Sequence, residues 1–195
     1  MAEDTAFPRL VTLACHDLRT PLATILGFAR TIPGLAELDS QADRYLDLIA
    51  SAAVHLGDVI EELSVAARVE DGRLVFDGEP VQTCELARSA AESLGDKAET
   101  LGEAGEVVTV DFDRAVHALT ELARCASRYG GVERISLRAA GDGVELTPVR
   151  HGAAAVLAGT ELRDLGAAIA LRVVEAMGGS SRVEGEVLAV RFPAS

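Results

Sequence analysis

His16 is the residue whose position and neighbours best suit chemistry. A helix advances about 100° per residue, so each neighbour can be placed around the axis relative to His16. Phe7, Leu10, Val11, Ala14, Leu18, Pro21, Leu22, Ile25, Phe28 and Ala29 fall roughly 120–240° away and form an apolar stripe, with His16 opposite its centre. The face of His16 carries Arg9, Thr12, Thr20, Ala23 and Gly27, mostly small residues. An imidazole placed there faces solvent, where a ring nitrogen can act as nucleophile or carry a proton. Pro21 adds a second signal. An interior proline costs a helix about 3 kcal/mol. Here it removes the hydrogen bond to the carbonyl of Asp17 and bends the helix just past His16, which suggests that local geometry matters there.

The elements that must carry His16 are two long helices. Thr5 to Ile32 is apolar-periodic, Pro33-Gly34 and Leu35 to Gln41 form a connection, and Ser40 or Asp39 can cap a second helix running to about Ala67. That helix has Tyr45, Ile49, Ala52, Leu56, Val59, Ile60 and Leu63 on one side, with Asp43, Asp47, Asp58, Glu61 and Glu62 opposite. Two such helices enclose little core by themselves. Pairing two hairpins into a four-helix bundle solves this, so a homodimer is expected.

After Asp71-Gly72 the pattern changes. Arg73 to Phe76 reads as a short strand, Thr83 to Leu94 as helix, Val107 to Val110 as strand and Asp111 to Tyr129 as helix. Glu133 to Ala140 and Val144 to Val149 alternate around Gly141-Asp142-Gly143, a hairpin signal. Thr160 to Met177 reads as helix with Gly178-Gly179 as its stop, and Ser181 to Glu184 and Val187 to Phe192 make a last hairpin around Gly185. The fold class is α+β: a helical hairpin over residues 1–70, then an α/β sandwich over residues 71–195.

Bulk properties narrow the function. Of 195 residues, 49% are hydrophobic and 25% charged, which suits a globular chain. No run approaches the roughly 18 apolar residues of a membrane span and the opening MAEDTAFPRL lacks signal-peptide features, so a cytoplasmic protein with no membrane partner is expected. A net charge of −13 argues against nucleic acid. Cys15, Cys84 and Cys125 lack metal-like spacing and read as reduced core cysteines in helices. No metal site is expected.

His16-Asp17-Leu18-Arg19-Thr20-Pro21-Leu22 resembles the H-box of sensor histidine kinases, H-[ED]-L-R-[TS]-P-L, at every position. The resemblance implies that His16 is a phosphoacceptor. A neutral ring nitrogen can attack a phosphoryl group, and Asp17 can take the proton of the other nitrogen and hold the tautomer. Thr20 lies one turn on, where the family orients the water that dephosphorylates a response regulator. Arg19, Thr12, Ala23 and Gly27 become partner-docking residues.

The remaining chain resembles the ATP-binding half of the same kinases. Val110-Asp111-Phe112-Asp113 into Ala118-Leu119-Thr120-Glu121-Leu122, then Ala126-Ser127-Arg128-Tyr129-Gly130, matches the asparagine-rich helix. Leu165-Gly166-Ala167-Ala168-Ile169-Ala170 matches the second glycine box. The family's Mg²⁺-holding asparagine aligns with Cys125 and the preceding one with Glu121, yet a thiol suits a hard cation poorly. The adenine-reading aspartate aligns with Arg150, ahead of Gly152, and an arginine cannot accept a hydrogen bond. Asp164, before Gly166, replaces one of the phosphate-loop glycines, and Gly152 to Leu162 is short for an ATP lid.

A kept H-box beside a degenerate nucleotide pocket implies a histidine phosphotransferase of a bacterial two-component phosphorelay. It would bind no cofactor, pass phosphate between receiver-domain aspartates through His16, and use Mg²⁺ supplied by the receiver. Response-regulator receivers and a hybrid histidine kinase are the expected partners. The alternatives are a divergent ATP-dependent kinase and a non-catalytic pseudokinase that regulates or dephosphorylates a response regulator.

Overall fold

The computed structural model describes residues 6–35, 38–102 and 104–194. The chain splits into two compact units, Met1–Leu74 and Val75–Ser195, and each is taken by itself.

The first unit is an antiparallel pair of long helices, α1 (Ala6–Leu35) and α2 (Ser40–Glu70). Asp39 caps α2, its carboxylate accepting from the backbone N–H of Gln41 at 3.1 Å and Ala42 at 2.7 Å. Contrary to the expected break at Pro33-Gly34, α1 runs on to Leu35. Proline keeps a helical φ, and Pro33 removes only the one hydrogen bond to the Ala29 carbonyl, two residues before the helix ends. At its far end α2 continues past Ala67 to Glu70.

The seam between the helices repeats every seven residues. On α1 it follows Pro8, Cys15, Leu22 and Ala29; on α2 it follows Ala53, Ile60 and Ala67, with Gly57 and Ser64 between. This is the spacing of knobs packed into holes, and its small residues allow close approach. The register is set by Leu22 beside Gly57, Arg19 beside Glu61 and Arg9 beside Asp71. The seam therefore runs along one flank of the apolar stripe rather than its centre. Phe7 at 74%, Leu10, Leu18, Ile25 and Phe28 at 61% stay exposed, as do Tyr45, Leu48, Ile49 and Leu56 on α2.

The strand expected at Arg73 to Phe76 does not form; the stretch is irregular, since among the described residues no strand pairs with it. The elements of the second unit are β1 (Glu79–Gln82), α3 (Thr83–Leu94), a 3₁₀ turn at Gly95–Lys97, β2 (Ala98–Leu101), β3 (Val107–Val110), α4 (Phe112–Gly130), β4 (Ile135–Ala140), β5 (Gly143–Thr147), α5 (His151–Leu157), α6 (Leu165–Ala176), β6 (Ser180–Glu184) and β7 (Val187–Arg191). Among the described residues the strands form a two-stranded β1–β3 pair and a five-stranded sheet ordered β2-β4-β5-β7-β6, antiparallel except for β2 beside β4.

One face of the sheet packs on α3, α4 and α6. Leu86, Leu119, Leu122, Ile135, Leu137, Val144, Leu146, Val174, Leu188 and Val190 make a continuous core. The expected hairpin turns at Gly141, whose φ of 59° lies in the left-handed region open to glycine. The helix expected over Thr160 to Met177 starts later, at Leu165. Asp164 caps it by accepting from the N–H of Ala167 at 2.9 Å, because a carboxylate at that place satisfies a first-turn N–H better than continued helix would. The alanine-rich stretch ahead of it folds as α5 instead of an open lid.

Candidate functional site

α1 displays its proposed chemistry to solvent. The side chain of His16 is 77% exposed, with Nδ1 3.2 Å from Oδ1 of Asp17. Asp17, Thr20, Ala23 and Gly27 are exposed as well, and a Cβ built on Gly27 would meet nothing within 4 Å. Thr12 is half-buried and its hydroxyl donates to the Pro8 carbonyl at 3.0 Å, so that hydroxyl is already engaged within the helix. Spacings of three and four residues hold Thr12, Arg19, Thr20 and Ala23 near one side of the helix.

Arg19 does not stand free. Its Nη2 lies 2.5 Å from Oε2 of Glu61, whose other oxygen lies 3.3 Å from Nη2 of Arg68. Arg68 in turn donates from Nε to the Ser64 carbonyl at 3.2 Å. Glu61 and Arg68 were not anticipated as site residues. The amphipathic reading had put Glu61 on the polar face, but only the register of the two helices brings it to Arg19.

The second set of sequence-derived positions converges in the other unit, around the N-terminus of α6. Glu121 is nearly buried, and its Oε2 would lie 2.6 Å from a Cβ at Gly166. Glycine there leaves room for that carboxylate against the first turn of α6, the end of a helix that favours negative charge. The other oxygen of Glu121 is 2.5 Å from Nη1 of Arg124. Asp164, also nearly buried, pairs with Nη1 of Arg128 at 2.7 Å while capping α6.

Cys125 lies 1% exposed. Burial, with the charges of Asp164 and Glu121 added and Arg128 opposing, pushes its thiol up to about 12. Burial pulls the Arg128 guanidinium down, but Asp164 chiefly, with Tyr129 and Glu121, more than offsets this, so it is raised overall.

Arg150 and Gly152 sit apart from this cluster, at the start of α5. Arg150 pairs with Glu186, and Gly152 lies against the carbonyl of Tyr129, where a Cβ would collide. Tyr129 donates to the Arg163 carbonyl at 3.0 Å, and the Arg163 guanidinium lies 5.4 Å from its ring centre. Arg124 and Glu186 have no role in the sequence reading, and Arg128 enters it only within the helix-end match; the three-residue spacing of Glu121 and Arg124 is the available signal. Among the described residues no group of three or more His, Cys, Asp or Glu could hold a metal ion, and no helix is long and apolar enough to cross a membrane.

Residues 9–72 match the His Kinase A (phospho-acceptor) domain family. This match covers the hairpin that presents His16 and stops where the second unit begins. Those residues carry the phospho-acceptor domain of that family. An uncharacterized sensor-like histidine kinase of Rhizobium meliloti is 30% identical over 97 residues, 48% of this chain and 18% of that protein. A probable sensor histidine kinase of Mycobacterium tuberculosis, TcrY, is 30% identical over 89 residues, 46% and 18%. These matches therefore span less than a fifth of each relative. Full-length ShkA, solved in complex with AMPPNP, has the same fold at a TM-score of 0.71 and 22% identity, over 96% of this chain and 47% of that one. The histidine kinase AdeS of Acinetobacter baumannii gives 0.59 and 18% identity, over 92% and 98%. The architecture is thus a hairpin matching the phospho-acceptor domain, followed by an α/β domain with the fold of the histidine kinase ATPase half.

Proposed function

We propose that this histidine kinase-like chain is a phosphotransfer protein of two-component signalling that works through His16 without binding ATP. A receiver aspartyl phosphate donates: a ring nitrogen of His16 forms the N–P bond as the acyl O–P bond breaks and the receiver regains its carboxylate. Asp17 takes the proton from the other nitrogen. In the second transfer the N–P bond breaks, a carboxylate oxygen of another receiver forms the new O–P bond, and the imidazole becomes neutral as the proton is returned. The receiver's own acidic pocket supplies Mg²⁺ in both steps. Ala23 and Gly27, small and exposed on the face of α1 that carries His16, leave space for the receiver.

The observation that carries this reading is the occupied N-terminus of α6. Two carboxylates, Glu121 and Asp164, stand where negative phosphate would be favoured, and each is already paired with an arginine. The position the family gives to a Mg²⁺-binding asparagine holds a buried, protonated thiol, a poor partner for a hard cation. The position it gives to the adenine-reading aspartate holds Arg150, engaged with Glu186. Mg²⁺-ATP does not fit these residues, so no step is routed through it.

The exposed Phe7, Ile25 and Phe28 on α1 with Leu48, Ile49 and Leu56 on α2 support a homodimer. A second hairpin laid along them completes a four-helix bundle. The test is transfer from a phosphorylated receiver in the absence of nucleotide. Label must appear on the wild-type chain and not on His16→Ala.

A further inference from the structure

We infer that Arg19 is an exchangeable clamp for the phosphoryl group on His16, held in reserve by Glu61. This deepens the phosphotransfer reading and rests on His16 accepting phosphate. Residues three apart on a helix have Cβ atoms about 5–6 Å apart, so the long arginine side chain reaches a group attached to the imidazole. With His16 free, Arg19 is engaged elsewhere, 2.5 Å from Glu61.

That engagement is built to be given up. The pair is exposed, at 46% and 58% for the two side chains, so water screens it. Glu61 is not orphaned when Arg19 leaves, because Arg68 remains on its other oxygen at 3.3 Å. Arg68 is itself tethered to the Ser64 carbonyl, which keeps it on its own helix. A phosphoryl group carries nearly two charges on three oxygens, and a guanidinium binds such a group through paired donors. It outcompetes a single carboxylate that already has a second cation. Arg19 thus moves from Glu61 to the phosphoryl oxygens, and Glu61 passes to Arg68.

Among the described residues, the ion pairs around His16 and Arg19 involve Asp17 and Arg19 on α1, with Glu61 and Arg68 on α2. The test labels the full chain chemically with phosphoramidate. The His16 nitrogen takes the phosphoryl group as the P–N bond of the reagent breaks, and ammonia leaves with a proton. The ³¹P signal missing from His16→Ala is then titrated. A nearby guanidinium favours the dianion, so Arg19→Ala raises the titration midpoint by on the order of half a pH unit. Glu61→Gln frees Arg19 and lowers it, and this lowering shrinks in the Arg19→Ala background because it works through Arg19.

An unmoved midpoint in Arg19→Ala, or an equal Glu61→Gln effect in both backgrounds, overturns the clamp while leaving His16 as phosphoacceptor. Absence of any His16 signal in the wild type overturns both.

Discussion

Asp164 places one carboxylate oxygen 2.7 Å from Nη1 of Arg128 and the other 2.9 Å from the backbone nitrogen of Ala167, joining α4 to the first turn of α6. One side chain thus caps a helix and forms an inter-helix ion pair. In Asp164→Ala the cap and the pair disappear together, and unfolding by denaturant is expected to show a loss of about 2 kcal/mol. Asp164→Asn keeps the cap acceptor and recovers about half of that. Equal losses in both variants would mean that the ion pair, not the cap, is what matters.

Cys125 is expected to be inert as a thiol. At pH 8 in the native chain, alkylation should modify the half-exposed Cys84 first and leave the buried Cys15 and Cys125 untouched until the protein opens. The raised value also links stability to pH. The Cys125 contribution is fully present below about 9, where the unfolded thiol titrates, and is lost as pH rises toward about 12. Wild type should therefore lose stability faster than Cys125→Ser between pH 9 and 11, measured by urea unfolding. Parallel curves would remove the linkage.

Nucleotide should not bind. Calorimetric titration of the chain with ATP and Mg²⁺ is expected to give no heat beyond dilution, and labelled ATP should leave His16 unmodified. Micromolar binding would restore the divergent-kinase reading.

The exposed stripe on α1 predicts the effect of a charge placed in it. Ile25→Glu and Phe28→Glu each bury a carboxylate in the bundle if two hairpins pair. Sedimentation should show a dimer for the wild type, with the dissociation constant raised at least about tenfold in either variant. A wild-type monomer at high micromolar concentration would contradict the bundle.

Much of this was legible in the sequence because it depends on local rules. The wheel around His16 gave its exposure, Val107 to Val110 and the Gly141 hairpin gave strands, and of the two cap candidates, Ser40 and Asp39, it is Asp39 that caps α2. What escaped depends on partners distant in the chain. Ala98 to Leu101 is a parallel edge strand with almost no buried side, so it carries no alternation, and only its pairing with β4 makes it a strand. The seam along Pro8, Cys15, Leu22 and Ala29 could not be told from the neighbouring line of Phe7, Ala14, Pro21 and Phe28, since both repeat every seven residues. Which line faces α2 is decided by the small residues of α2, not by α1. The Arg19–Glu61 pair is invisible for the same reason, and so is the engagement of Arg150 with Glu186.

The central claim is that phosphate reaches His16 from a receiver rather than from ATP. The most direct measurement incubates the intact chain with receiver domains of its own organism, phosphorylated on aspartate and freed of nucleotide, and follows label by acid-labile phosphohistidine detection. Transfer to the wild type within minutes, with none to His16→Ala, is the predicted result. Label that persists in His16→Ala, or that reaches His16 only when ATP is added, would contradict it.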